Sequence, residues 1–134
     1  MLATRGDSSA LQAEIAAFYS GFGQPELLMD AFADAVLLIQ ITDDDRILVS
    51  QFEGVGWICA FTSVGEFARF LVRRTVVPDR EYRYHTVRGR RLAAHAASRP
   101  EPTGVVVDAA GAAPMVFPPQ VGDMSPDGTV AGVV

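Results

Sequence analysis

A single cysteine, two histidines and eleven arginines are the side chains most able to carry chemistry in this 134-residue chain, and lysine is absent. Without lysine there is no Schiff-base nucleophile and no Walker-type phosphate loop. Cys59 sits between Ile58 and Ala60 in an apolar run. A reactive thiolate needs an electropositive, partly open setting, so Cys59 reads as core. His85 and His95 lie ten residues apart on different predicted elements, with no cysteine or carboxylate at ligand spacing. They predict neither a metal nor a cofactor. Asp43-Asp44-Asp45 lacks the alternating oxygen ligands, glycine and distal glutamate of a calcium loop, and predicts a turn. Ser50 and Ser63 lack the G-x-S-x-G elbow. Gly54 and Gly56 stand between two predicted strands, where no phosphate loop forms. No catalytic residue is assigned, and the expectation is a protein that is not an enzyme. A hydrolase or transferase built without a motif on Ser50, Cys59 or the histidines is the weakest reading.

The richest candidate is the stretch RRTVVPDREYRYHTVRGRR. Nine of the eleven arginines fall within residues 69–99, against Asp79 and Glu81, whereas acidic residues dominate before Glu66. Arg83, Arg88, Arg90 and Arg91 with Tyr82 and Tyr84 are the residue types that grip phosphates and stack bases. Nucleic-acid or anionic-ligand binding through segment 73–99 is therefore the second reading. An isoelectric point near 4.8 and the absence of a nucleic-acid-binding motif weigh against it. A protein contact, with a partner or a second copy, ranks higher; alternatively the basic segment lies beside the chain's own acidic half.

The elements that would position these residues follow from periodicity. Leu11, Ile15, Phe18, Tyr19 and Phe22 share one face of a first helix, with Asp7, Ser8 or Ser9 as its cap. A second helix over 25–35 buries Leu28, Ala31, Phe32 and Ala35 and turns Asp30 and Asp34 outward. Strands are predicted at 36–42, 47–52 and 57–61, joined by the aspartate turn and by Gly54-Val55-Gly56 into an antiparallel meander. Ser63 and Glu66 form a capping box that opens a helix carrying Phe67, Phe70, Leu71 and Arg74 on one stripe. Val76-Val77-Pro78 ends that helix. A strand at 82–87, an alanine-rich helix at 90–98 and a hairpin over 104–117 complete the core. The fold class is α+β: an antiparallel or mixed sheet of five to six strands with three to four helices. Residues 1–119 form one domain, and 120–134 an extended or disordered tail with an edge strand conceivable at 129–134. The start of the chain has no apolar segment of a secretory signal, and no apolar run reaches the ~20 residues of a membrane helix. The single cysteine suits a reducing compartment, so the expected location is cytoplasmic.

The order of these signals resembles the SseB protein N-terminal domain family. The resemblance rests on Phe61-Thr62-Ser63 entering EFARFL, on Gly89 to Leu92 (GRRL), and on the closing GVVVDAAGAAPMVFPP, residues 104–119. It departs from the family at Asp108-Ala109-Ala110-Gly111, where an asparagine-proline-glycine turn is usual, and no second domain of this type follows. The resemblance implies an α+β domain with no known catalytic set. It also implies bacterial, actinobacterial relatives in type VII secretion or regulatory settings. The reading is a non-enzymatic interaction or accessory domain that associates with a protein partner or with itself as a homodimer.

Overall fold

A computed structural model describes residues 7–74 and 82–119. Within them the order is α1 (Ser9–Tyr19), α2 (Pro25–Asp34), β1 (Val36–Gln40), β2 (Ser50–Phe52), β3 (Val55–Phe61), α3 (Val64–Arg73), β4 (Tyr84–Arg88), α4 (Gly89–Ser98), β5 (Thr103–Val107) and β6 (Met115–Phe117). The fold is α+β. The sheet is mixed, in the order β4-β1-β3-β5-β6, with β2 paired to the outer half of β3. All pairings are antiparallel except β3 with β5, which run parallel from Gly56↔Thr103 to Ala60↔Val107. A parallel pair needs a long crossover. Here α3, β4 and α4 supply it, leaving β3 on one face of the sheet and returning to β5 on the other.

The simple meander expected from the sequence is not what forms. β1 pairs directly with β3 at Leu38↔Phe61 and Ile39↔Ala60, and residues 47–52 wedge between the far ends of those strands. Ile47 bridges to Ile41 on the β1 side, and Ser50–Phe52 pairs with Val55–Trp57 on the other. The strand expected at 47–52 is thus reduced to three regular residues. Its turn is Glu53-Gly54 at φ 52° and 82°, a two-residue hairpin with both centres left-handed, while Gly56 is inside β3.

Alternation along β3 divides the molecule into two layers. Ile58 and Ala60 are buried with Leu37 and Ile39 of β1, Val105 and Val107 of β5 and Phe117 of β6. That face carries α1 through Leu11 and Ile15, α2 through Leu28 and Phe32, and α4 through Leu92 and Ala96. Phe32 and Phe117 stack at 4.4 Å between ring centroids. Tyr19 and Phe22, expected on the core face of α1, are exposed: the helix stops at Tyr19, and Tyr19 Oη instead donates to the Pro114 carbonyl at 2.5 Å.

The opposite face carries α3 alone among the described helices. Phe61 packs against Phe67 and Phe70 at 5.2 and 5.1 Å, with Leu38 and Ala110 buried beside them. The helix stop expected at Val76-Val77-Pro78, and the tail and edge strand expected within 120–134, lie outside the described residues. Among the described residues no helix is long and apolar enough to cross a membrane.

Candidate functional surfaces

The Phe61-Thr62-Ser63 turn joins β3 to α3, and its polar groups are consumed internally. Asp108, at the end of β5 with φ 54°, accepts from the Thr62 amide at 2.9 Å and from the Thr62 hydroxyl at 2.7 Å. Ser8 Oγ donates to the Thr62 carbonyl at 3.0 Å, and Gln12 Nε2 donates to Thr62 Oγ1 at 3.1 Å. Thr62, Asp108 and Ser8 are all buried. Ser8 therefore bonds Thr62 with the side chain expected to cap α1, which has no side-chain cap bond. This network fastens three distant segments and offers no free nucleophile.

Half of the expected capping box forms. Ser63 Oγ accepts from the Glu66 amide at 3.1 Å. The Glu66 carboxylate does not return to Ser63. It lies over Gly111, where an added Cβ would sit 2.5 Å from Oε1, and that buried oxygen accepts no hydrogen bond. Arg69 Nε is 3.8 Å away on the next turn.

Cys59 is half-buried, packed against the Phe61 cluster instead of sealed in the core. Burial raises its thiol pKa above the ordinary value, and the positive charge of Arg74 offsets this only in part. Beside it lies a cavity of only about 10 Å³, bounded by Ser50, Phe70 and Arg74 among others. That is room for about one water and for no substrate. His85 is exposed on β4 and His95 half-buried on α4, and among the described residues no three metal-ligating side chains gather.

The structure distributes the six residues singled out in the arginine-rich segment over four different places. Tyr84 meets Phe67 edge-on at 5.7 Å, and half-buried Tyr82 packs on the same apolar cluster, so both rings serve the α3 layer. Arg83 donates to the Thr42 carbonyl at 3.2 Å and pairs with Asp45 in the aspartate turn. The Arg83 hydrogen bond and charge hold the Asp45 carboxyl below the usual carboxylate range. Arg88 donates to the Asp34 carbonyl at 2.8 Å, and Arg90 pairs with the Asp34 carboxylate. Arg91 is exposed on α4 and has no hydrogen-bond or ion-pair partner among the described residues. Farther along, Arg99 pairs with Glu101. Among the described residues of this segment, Arg83 and Arg90 thus lie against the chain's own carboxylates and Arg88 against a backbone carbonyl, so the six are not gathered on one surface.

The second face of the sheet has a feature not anticipated from the sequence. Register places Phe52, Val55, Trp57, Cys59, Val106 and Val116 on one side of β2, β3, β5 and β6. Phe52 and Val116 are 64% and 51% exposed, and the other four are half-buried. The Trp57 ring lies across Gly104, where a Cβ would come within 2.5 Å of it. Cys59 sits at the edge of the α3 cluster, and no described helix packs on the other five. The available signal was the apolar residue at every second position of 55–59, which a solvated sheet face does not need.

The family model for the SseB protein N-terminal domain matches residues 11–121. No curated protein and no solved structure shows a significant match.

Proposed function

Because the chain belongs to the SseB protein N-terminal domain family, we propose that it is a non-enzymatic interaction or accessory domain. It works by holding a protein partner, in a bacterial cytoplasm and in a secretion-associated or regulatory setting. The observation that carries this reading is the apolar half of the sheet that no described helix covers, since patches of this kind mark association surfaces. The candidate chemical groups point the same way: Thr62 and Asp108 bond each other, Cys59 is pushed toward the neutral thiol, and Ser50 opens onto a cavity too small for a substrate. Anion binding through Arg83, Arg88 and Arg90 has less support, because each already donates to an oxygen of this chain.

The test is retention of a partner by the full chain from an extract of its native host, with light scattering on the purified protein. A specific stoichiometric partner, or a defined homodimer, is expected. A strict monomer that retains nothing would overturn the reading.

A further inference from the structure

The open half-face is bounded on one side by α3, and among the described residues the charge on that flank is mostly positive. Residues 66, 69 and 73 are one turn apart, so Arg69 and Arg73 share the flank on which Glu66 reaches Gly111, the side toward β5 and β6. Both arginines are exposed; Arg69 has only its 3.8 Å approach to Glu66, and Arg73 has no partner among the described residues. Arg74 sits above Phe70 at 5.2 Å, next to Cys59 at the corner of the face. Three arginines therefore face one carboxylate along this border, whereas Arg83, Arg88, Arg90 and Arg99 are satisfied elsewhere.

The dimensions specify the shape of the occupant. Four strands side by side span three spacings, about 14 Å. An α-helix with its side chains is about 10–12 Å wide. Among the described residues, the other face of the same sheet is covered by three helices and this one by α3 alone.

We propose that the strip over β2, β3, β5 and β6 receives an amphipathic helix of a partner protein, laid beside α3, with carboxylates on the flank that meets Arg69 and Arg73. The proposal rests on the interaction reading above and adds the surface and the chemistry of the partner. Trp57, Val106 and Val116 take the apolar stripe, and Gly104 keeps the strip flat enough for Trp57 to lie under it. The arginines give the complex orientation and salt sensitivity.

Trp57 is the chain's one tryptophan and reports directly. The probe is a synthetic helical peptide of ~14 residues, about four turns, with leucines at i, i+3, i+4 and i+7 and glutamates on one flank. Its control carries lysines in place of the glutamates. With the full-length protein, the acidic peptide is expected to shift Trp57 emission to the blue, and added salt to weaken binding. Arg69→Glu with Arg73→Glu should cost about tenfold in affinity, and Val116→Asp should abolish the shift, both variants keeping the wild-type circular dichroism. Equal binding of the lysine peptide, or binding of neither, would overturn the proposal. Two other occupants would overturn it as well. Trp57 emission that ignores the peptide but moves on Asp123→Arg with Asp127→Arg assigns the strip to the chain's own tail. A dimer dissolved by Val116→Asp assigns it to a second copy. If the host partner is retained equally by wild type and both variants, the interaction reading stands and this site falls.

Discussion

Asp108 bonds Thr62 twice and closes the sheet onto the start of α3. Removing the carboxylate leaves a buried amide and hydroxyl unpaired, at about 1–3 kcal/mol each. Alanine at the positive φ of this position adds about 1–2 kcal/mol more. Asp108→Ala is therefore expected to lower the urea midpoint more than any exposed aspartate change. Asp108→Gly should recover the backbone part of the loss but not the hydrogen-bond part, which comparison of their unfolding curves would separate. Cys59 makes the opposite kind of prediction, one of inertness. Its raised pKa means alkylation slower than that of a free thiol, with a pH inflection above the ~8.5 of an unperturbed cysteine. Rapid labelling at neutral pH would contradict this and revive a thiol-based activity. The partly buried setting of Cys59 was legible from its apolar neighbours, but Asp108 was not legible as a linchpin, because its partner lies 46 residues away.

Helix ends and close approaches decide which elements can form. The Ser63 cap was legible because it is local: its partner is three residues on. Ser63→Ala is expected to cost about 1 kcal/mol, read from chemical denaturation. Glu66→Ala should cost less than a full capping box implies, since its carboxylate makes no return bond. Gly89 illustrates the non-local case. It starts α4 against the end of α2, its amide donates to the Ala35 carbonyl at 2.9 Å, and a Cβ would lie 1.7 Å from the Phe32 carbonyl oxygen. The overlap is with backbone, so Gly89→Ala must push the helix away. The expected cost is at or above the upper end of the ~1–3 kcal/mol for overpacking, seen as a lower melting temperature. The sequence motif at Gly89 is a packing requirement between two helices.

At the scale of the whole molecule, folding brings the acidic first half and the basic middle of the chain together. Asp45 with Arg83, and Asp34 with Arg88 and Arg90, are exposed pairs whose individual contribution is small. For Asp45, and for Glu101 beside Arg99, the pH dependence still has a definite sign. The Asp45 carboxyl is depressed by Arg83; that of Glu101 is depressed first by its own backbone amide, then by Arg99 and Gln51. A depressed carboxyl binds its proton more weakly in the folded state. Its stabilisation is complete above the unfolded carboxyl range, about pH 4, and is lost as pH falls through the lower folded value. The urea midpoint should therefore be flat from about pH 8 to pH 5 and fall in acid, with a shallower fall in Asp45→Asn combined with Glu101→Gln. The same internal pairing predicts weak, salt-sensitive binding to single-stranded RNA, with Arg91→Ala reducing it further; tight binding in a filter assay would restore the anionic-partner reading.

Periodicity and capping are properties of neighbouring residues, so the α+β class, the four described helices and the β5–β6 hairpin could be read from the chain alone. The pairing of β1 with β3, the parallel entry of β5, the Thr62–Asp108 lock and the particular partners of Arg83, Arg88 and Arg90 could not. Each depends on which distant segments meet, and strand alternation is blind to strand order. The uncovered strip belongs with these: an apolar residue at 55, 57, 106 or 116 is consistent with burial under a helix. Only the tertiary arrangement shows three of the described helices gathered on one face and α3 alone among them on the other.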